Sequence, residues 1–295
     1  DNPLIQESST HLLRAGGKRL RPTLVLLCGS VFREPGDMLI AVAAATELVH
    51  TATLVHDDTV DRAEMRRGIP TVNAGWGDHV AVLLGDYLFA RAFSLLAATG
   101  DPRTVRVMAD VVHRMSAGEI EQWTRRFDPT LGELTYLDGI DKKTACFIAE
   151  CCRLGAMLSG ASPEQAQALR DYGYGIGMGF QIVDDILDLA GDARRFGKNI
   201  GGDLRTGVVT LPVIHALAHS PQRQRISEAI RSRNIGDREV AEIRALVERC
   251  GGLHYAYRVA ERYTAHARRC LDGLPPGAAR DALASMADYL IRREV

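Results

Sequence analysis

The stretch Glu47-Leu48-Val49-His50-Thr51-Ala52-Thr53-Leu54-Val55-His56-Asp57-Asp58-Thr59-Val60-Asp61 decides the fold. It is largely apolar, contains no Gly or Pro, and reads as helix. Asp57 and Asp61 are four residues apart, so both carboxylates stand on one helical face. A second stretch, Gly179-Phe180-Gln181-Ile182-Val183-Asp184-Asp185-Ile186-Leu187-Asp188, repeats the arrangement with Asp184 and Asp188. Two such faces turned toward each other gather their carboxylates in one cavity, which requires cations to neutralise them. Carboxylate oxygens are hard ligands suited to Mg²⁺, an ion that keeps waters and shares its shell with substrate phosphates. The first expectation is a Mg²⁺–diphosphate site inside a helical protein.

The rest of the chain agrees with a helical fold. Its 295 residues are 46% hydrophobic, enough for a large core. A net charge of −1 argues against nucleic acid or an anionic membrane surface as partner. Periodicity predicts helices near 20–32, 37–65, 78–98, 103–126, 133–160, 163–190, 208–219, 222–232, 237–250, 254–273 and 277–293. Breakers such as Pro35-Gly36, Gly68 to Pro70, Ser162-Pro163 and Gly251-Gly252 separate them. With no internal repeat or linker, residues 1–295 are expected to form one all-α domain, an antiparallel helix bundle around a central cavity. Gly173, Gly175, Gly177 and Gly179 alternate before the second aspartate stretch, but no strand precedes them. Close helix packing, or room for an apolar ligand, explains them better than a dinucleotide fingerprint.

Six cysteines fit no zinc spacing and lie in apolar stretches, which points to reduced core thiols and a cytoplasmic protein. The first residue is Asp1 rather than Met, which points to a trimmed N-terminus, and no signal peptide is legible. Val80 to Ala98, interrupted by Asp86 and Arg91, reads as too polar for a transmembrane segment.

A diphosphate site also needs side-chain cations. Arg66-Arg67-Gly68 follows Asp57, and a continuing helix would carry the pair roughly 14 Å along its axis. Gly16-Gly17-Lys18-Arg19-Leu20-Arg21-Pro22 is a basic turn opening a helix, where backbone N–H groups favour phosphate. Lys143-Thr144 and Lys198 are further candidates. Singly, each feature has a bland reading. One Asp-Asp-x-x-Asp can be a solvated face, Arg66-Arg67 an exposed pair, Lys18 and Arg21 surface cations, and His50 a core histidine. Phe180-Gln181 can be packing and a cap. Two aspartate stretches in apolar segments shift the balance toward function.

Together these blocks resemble the trans-isoprenyl diphosphate synthases, or polyprenyl synthetases. The resemblance rests on Gly17 to Pro22, Glu47 to Asp61, Arg66-Arg67-Gly68, Lys143-Thr144-Ala145, Gly179 to Asp188, and Gly197-Lys198 with Gly202-Asp203-Leu204. It is most like long-chain members such as heptaprenyl and octaprenyl diphosphate synthases. It implies an isoprenoid-synthase fold and a Mg²⁺-dependent prenyltransferase that couples an allylic diphosphate to isopentenyl diphosphate, head to tail, with loss of pyrophosphate. By carry-over, Asp57 and Asp61 hold two Mg²⁺ and Asp184 a third, with Asp58, Asp185 and Asp188 as further ligands or their partners. Arg66, Lys143, Thr144, Gln181 and Lys198 hold the allylic diphosphate. Lys18, Arg21, His50 and Arg67 hold isopentenyl diphosphate. The resemblance further implies a homodimer, and the insolubility of long products implies transient membrane contact. One departure stands out: the family often has Lys where Val208 follows Gly207, so one allylic-side cation is absent.

Val49, Ala52 and Thr53 lie eight, five and four residues before Asp57 and form the wall below it. Short-chain members often carry an aromatic there. The small residues here leave depth at about 5 Å per helical turn, and a C30–C40 product is expected. The competing readings are a short-chain farnesyl or geranylgeranyl diphosphate synthase, a terpene cyclase, a subunit of a heteromeric synthase, and a purely structural helical protein. A cyclase would not need the isopentenyl clamp. A non-catalytic subunit would be expected to lose an aspartate stretch, and a structural protein leaves the aspartates unexplained.

Overall fold

A computed structural model describes residues 2–14, 16–191 and 200–291. Helix α1 is Pro3–Arg14, α2 Leu20–Ser30, and α3 Asp37–Val60. A hairpin of β1 (Met65–Arg66) and β2 (Ile69–Pro70) precedes α4 (Val72–Trp76), α5 (Asp78–Ala98), α6 (Pro102–Thr124) and α7 (Glu133–Ile140). A π-turn, Asp141–Ala145, leads into α8 (Cys146–Leu158) and α9 (Pro163–Ala190). Then come α10 (Gly202–Thr206), α11 (Leu211–His219), α12 (Arg223–Arg231), α13 (Asp237–Arg249), α14 (Gly252–Arg269) and α15 (Ala278–Ile291). The all-α expectation holds. Helices α1, α4 and α10 were not foreseen, and α11 begins at Leu211, with Pro212 in its first turn, rather than at 208.

The helix starts follow local chemistry. Asp101 accepts the Arg103 N–H ahead of Pro102, and Ser162 forms a capping box with Gln165 ahead of Pro163. The expected helix 37–65 instead stops at Val60. Arg67 and Gly68 both take positive φ, 52° and 80°, as a two-residue hairpin turn of the primed type requires. Thr71 Oγ1 and Asn73 Nδ2 donate to the Ala63 carbonyl and hold the hairpin down. The Arg66-Arg67 pair therefore folds back over the end of α3 instead of continuing along its axis.

The alternating glycines serve two faces of α9. A Cβ on Gly173 would stand 2.8 Å from Ala149 Cα, and one on Gly177 2.6 Å from Ala145 Cα. On the opposite side, a Cβ on Gly175 would stand 2.6 Å from the Tyr263 carbonyl, and one on Gly179 2.6 Å from the Thr264 methyl. Each pair is spaced four apart, so α9 is clasped between α8 with its π-turn on one side and α14 on the other. Of the two explanations offered by the sequence, close packing is the one observed. Gly177→Ala is expected to destabilise the protein by about 1–3 kcal/mol, because the obstructing atom is backbone. A drop in urea midpoint at unchanged m-value checks this; an unchanged midpoint refutes it.

By length and mean hydropathy, α3 and α5 each meet the composition of a membrane-crossing helix. That qualifies the expectation that Val80 to Ala98 is too polar to span. They pack on each other, and Val49, Ala52, Val55, Leu84, Leu88 and Leu96 from them are buried in the protein, which accounts for much of that apolarity. All six cysteines are free, four of them buried.

Candidate active site

The end of α3 supplies the first carboxylates. Asp58 is buried, and Arg66 grips it through Nε at 2.8 and 2.7 Å and through Nη2 at 2.7 Å. This bidentate pairing closes the hairpin onto the helix. Asp57 is half-buried and lies one residue round the helix. Among the described residues no hydrogen bond or ion pair reaches its carboxylate. Burial, and next the neighbouring Glu119, push it up to about 6, against the pull of Lys143 and Arg66. Asp61 caps the helix with an exposed side chain, and Arg126 reaches it at 3.3 Å.

Lys143 sits on the π-turn, where the Cys146 N–H reaches back five residues to the Asp141 carbonyl. Such a bulge re-aims side chains within a helical run. Lys143 Nζ binds Glu119 at 2.7 Å and Gln122 at 3.1 Å, both on α6. Burial alone would lower its pKa, but Glu119, Asp57 and Asp203 outweigh that and hold it raised. Lys143 is thus within electrostatic reach of α3 on one side and of α10 on the other.

The second carboxylate group sits on α9. Thr144 Oγ1 donates to Gln181 Oε1 at 2.9 Å, Gln181 Nε2 donates to Asp185 at 2.8 Å, and the Tyr136 hydroxyl donates to the other Asp185 oxygen at 2.7 Å. Asp185 is buried, and burial with Asp203 and Asp184 nearby raises its pKa well above the carboxylate range despite these donors. Asp58 and Asp185 therefore play matching parts, each held from within the protein beside a partly exposed neighbour, Asp57 or Asp184. Asp188 accepts the Asp203 N–H at 3.1 Å, which seats α10 against α9. Lys198 lies outside the described residues.

A cationic cluster stands beside the first carboxylates. Arg21 is enclosed, its guanidinium 4.8 Å over the Phe147 ring and its Nε without a partner. Arg67 donates to the Gly16 carbonyl, and its guanidinium fills the space a Cβ on Gly17 would need. His50 is held down at about 2 by burial and then by Arg21, Arg67, Arg66 and Arg19. Lys18 is exposed, 5.9 Å over the Phe180 ring. Of the four guanidinium groups round the neutral His50 imidazole, Arg19 is paired with Glu47 and Arg66 with Asp58, while Arg21 and Arg67 have no carboxylate partner among the described residues. Such a positive cluster favours an anion.

Below Asp57, Val49 and Ala52 are fully buried. Ala52 lies in a cluster with Ala81, Leu84 and Leu88 of α5, and Val49 in one with Met108, Phe147 and the partly buried Phe89, Phe93 and Met115. The small α3 side chains are matched by large ones from facing helices. The wall below Asp57 is therefore shared between α3 and the helices that face it.

The donor set fits a hard divalent ion. Asp57 is a carboxylate raised by burial with no cation bonded to it, and Asp61 and Asp184 offer further oxygens. Among the described residues, no three His, Cys, Asp or Glu side chains already converge as a metal cluster. Glu119, Gln122, Tyr136 and Arg126 were missed by sequence reasoning. Only the Glu119/Gln122 spacing on one helical face offered a hint.

An all-α scaffold thus carries an acidic rim, a lysine bonded to α6 beside it and an adjacent cluster of arginines, an arrangement able to hold cations and anions side by side. The family model described as polyprenyl synthetase matches residues 2–248. The chain is 41% identical over 290 residues to heptaprenyl diphosphate synthase component 2 of Geobacillus stearothermophilus, covering 98% of this chain and 89% of that protein. It is 40% identical over 295 residues to a short chain isoprenyl diphosphate synthase of Methanothermobacter thermautotrophicus, covering 97% and 90%. A decaprenyl diphosphate synthase from Rhodobacter capsulatus superposes with a TM-score of 0.94 at 38% identity, covering 99% and 90%. The chain belongs to the polyprenyl synthetase family of prenyltransferases.

Proposed function

We propose that the chain is a trans-prenyl diphosphate synthase that joins an allylic diphosphate to isopentenyl diphosphate, head to tail, and forms a long-chain product in the C30–C40 range. The observation that carries this is the pairing of an acidic rim with a separate arginine–histidine pocket. One would take a cation-bridged diphosphate and the other a bare one. Asp57, Asp61 and Asp184 would hold Mg²⁺, which supplies positive charge at the departing diphosphate. Asp58 and Asp185, bonded by Arg66, Tyr136 and Gln181, fix the neighbouring carboxylates, and Asp188 seats α10. Lys143 and Thr144 orient the allylic diphosphate with Gln181 and Lys198. Arg21, His50, Arg67 and Lys18 hold isopentenyl diphosphate so that its double bond faces the allylic C1.

The allylic C1–O bond breaks with its electron pair leaving on diphosphate, and the isopentenyl double bond supplies the pair for the new C–C bond. Lys143 and the arginines stabilise the charge as it develops. Apolar side chains below Asp57 keep water from the allylic cation. The proton then lost from the isopentenyl unit goes to the released pyrophosphate. A side-chain replacement that selectively stalls proton loss would contradict this assignment.

The reaction is tested by incubating the protein with isopentenyl diphosphate, farnesyl diphosphate and Mg²⁺, then sizing products after dephosphorylation. A ladder ending at C30–C40 is expected. A stop at C15–C20 from shorter primers would keep the chemistry and replace the long-chain reading with a short-chain one, which the Methanothermobacter relative favours. Ala52→Phe is expected to shorten the ladder, at a packing cost of about 1–3 kcal/mol because Ala52 is enclosed by α5. Unchanged products would place the limiting residue on another helix.

We also propose a cytoplasmic homodimer. Val82, Leu83, Ile120 and Trp123 of α5 and α6 are exposed apolar residues available to a partner. The printed name "component 2" of the Geobacillus relative favours a second reading, an unlike partner subunit. Elongation by the purified chain alone separates the two.

A further inference from the structure

Arg126 lies just beyond α6 in a short turn that reaches Asp61 at the end of α3 and Gly207 just after α10. Its Nη2 is 3.3 Å from Asp61 Oδ1, at the long end for a charge-assisted bond, whereas Arg66 grips Asp58 at 2.7–2.8 Å. Its guanidinium lies 4.1 Å over the Trp123 ring, which fixes the plane of the fork. Its Nε is buried and has no hydrogen-bond partner. The next residue, Phe127, takes φ 61° and donates its N–H to the Gly207 carbonyl at 2.8 Å. Gly207 has φ 84°, and a Cβ there would stand 2.6 Å from the Phe127 ring. Arg126 is thereby tied beside the chain that continues into Val208, a residue without charge.

We propose that Arg126 is a further substrate-binding residue, its guanidinium taking an oxygen of the allylic diphosphate beside Asp61 and supplying the cation that Val208 does not. This rests on the reading of the site as a prenyl diphosphate synthase. A fork with one loose bond, a fixed plane and an unpaired Nε is preorganised for a phosphate oxygen. An arginine serving only as a strut would be expected to close its Nε and Nη2 edge tightly on one carboxylate, as Arg66 does on Asp58. Phe127 and Gly207 hold the backbone that carries it.

The test compares Arg126→Gln and Arg126→Lys with the unaltered chain, each with and without Val208→Lys. Three quantities are read: KM for farnesyl diphosphate, KM for isopentenyl diphosphate, and calorimetric binding of inorganic pyrophosphate with Mg²⁺. Arg126→Gln is expected to raise the farnesyl diphosphate KM about tenfold and weaken pyrophosphate to match, leaving the isopentenyl diphosphate KM within about twofold. Arg126→Lys should fall between, since it keeps the charge and loses the fork. Val208→Lys should recover most of the loss in Arg126→Gln. Unchanged farnesyl diphosphate and pyrophosphate binding overturns the proposal. So does an equal rise in both KM values with a lowered melting temperature, which marks a strut. If Arg126→Gln does not fold, Arg126→Lys decides alone, and unchanged pyrophosphate binding there overturns the proposal. If the unaltered chain elongates no allylic primer, the functional reading fails. The pyrophosphate titration then still decides on Arg126.

Discussion

Asp57→Asn is expected to lower kcat by about a thousandfold and, at the same time, to make the cation-free protein more stable at neutral pH. A thousandfold corresponds to about 4 kcal/mol of transition-state stabilisation, the order expected for a group aimed at developing charge. The stability gain comes from the same geometry. Burial and Glu119 raise Asp57 from 3.8 to about 6, so the folded protein keeps a proton there that the unfolded chain has already lost. The folded state binds more protons between those values, and stability falls as pH climbs through that window. Above about pH 6 the deficit is complete, and Asn, which carries no charge, removes it. Discounted for partial exposure, the gain is about 1–2 kcal/mol. Melting curves in chelator from about pH 4 to about pH 8 should show the variants converging in acid and separating toward neutrality. Added Mg²⁺ should stabilise the unaltered chain more than the variant. A kcat within tenfold of the unaltered chain, or a stability gain independent of pH, would sink this account.

The parts legible in the sequence were those where one residue's meaning follows from its own helix. Asp57, Asp61, Asp184 and Asp188 show themselves by four-residue spacing, and α3 and α9 by unbroken apolar periodicity. The errors arose where a second element overrides local pattern. Arg66 directly follows a run that periodicity extends to residue 65. Yet Arg67-Gly68 makes a hairpin turn, and the bond to buried Asp58 rewards the reversal. The expected single helix 133–160 is broken by a π-turn, because α6 approaches there. A Cβ on Gly118 would stand 2.7 Å from Lys142 Cβ. Glu119 and Tyr136 could not be assigned in advance, since an exposed-looking Glu and a helical Tyr acquire meaning only against Lys143 and Asp185. The four alternating glycines were visible, but their division between two partners needs α8 and α14 in place.

The basic pocket should respond to substitution as the acidic rim does, with opposite sign. Arg21→Gln is expected to raise the KM for isopentenyl diphosphate about a hundredfold, near 2.7 kcal/mol, as for losing an enclosed charge-assisted contact. The allylic KM should change little, because Lys143, Thr144 and Gln181 remain. The ligand-free protein should tolerate the change well. Arg21 is lowered from its ordinary pKa chiefly by burial, and its Nε is unpaired, so removing the charge relieves a desolvation cost. His50 reports the same change independently. Held at about 2, it stays neutral in the folded protein while the unfolded chain takes up a proton below 6.5. Stability is therefore lost as pH falls through 6.5 toward the folded value. Arg21 is the second cause of that depression after burial, so Arg21→Gln lifts the His50 pKa and flattens the acid loss. Bound diphosphate should lift it too, drawing a proton onto the imidazole. Calorimetry in two buffers of different ionisation enthalpy would then register proton uptake with isopentenyl diphosphate at mildly acidic pH. An allylic KM that rises with the isopentenyl one would show that the two anion pockets are not separate. The division of labour between the acidic rim and the arginine cluster would then have to be abandoned.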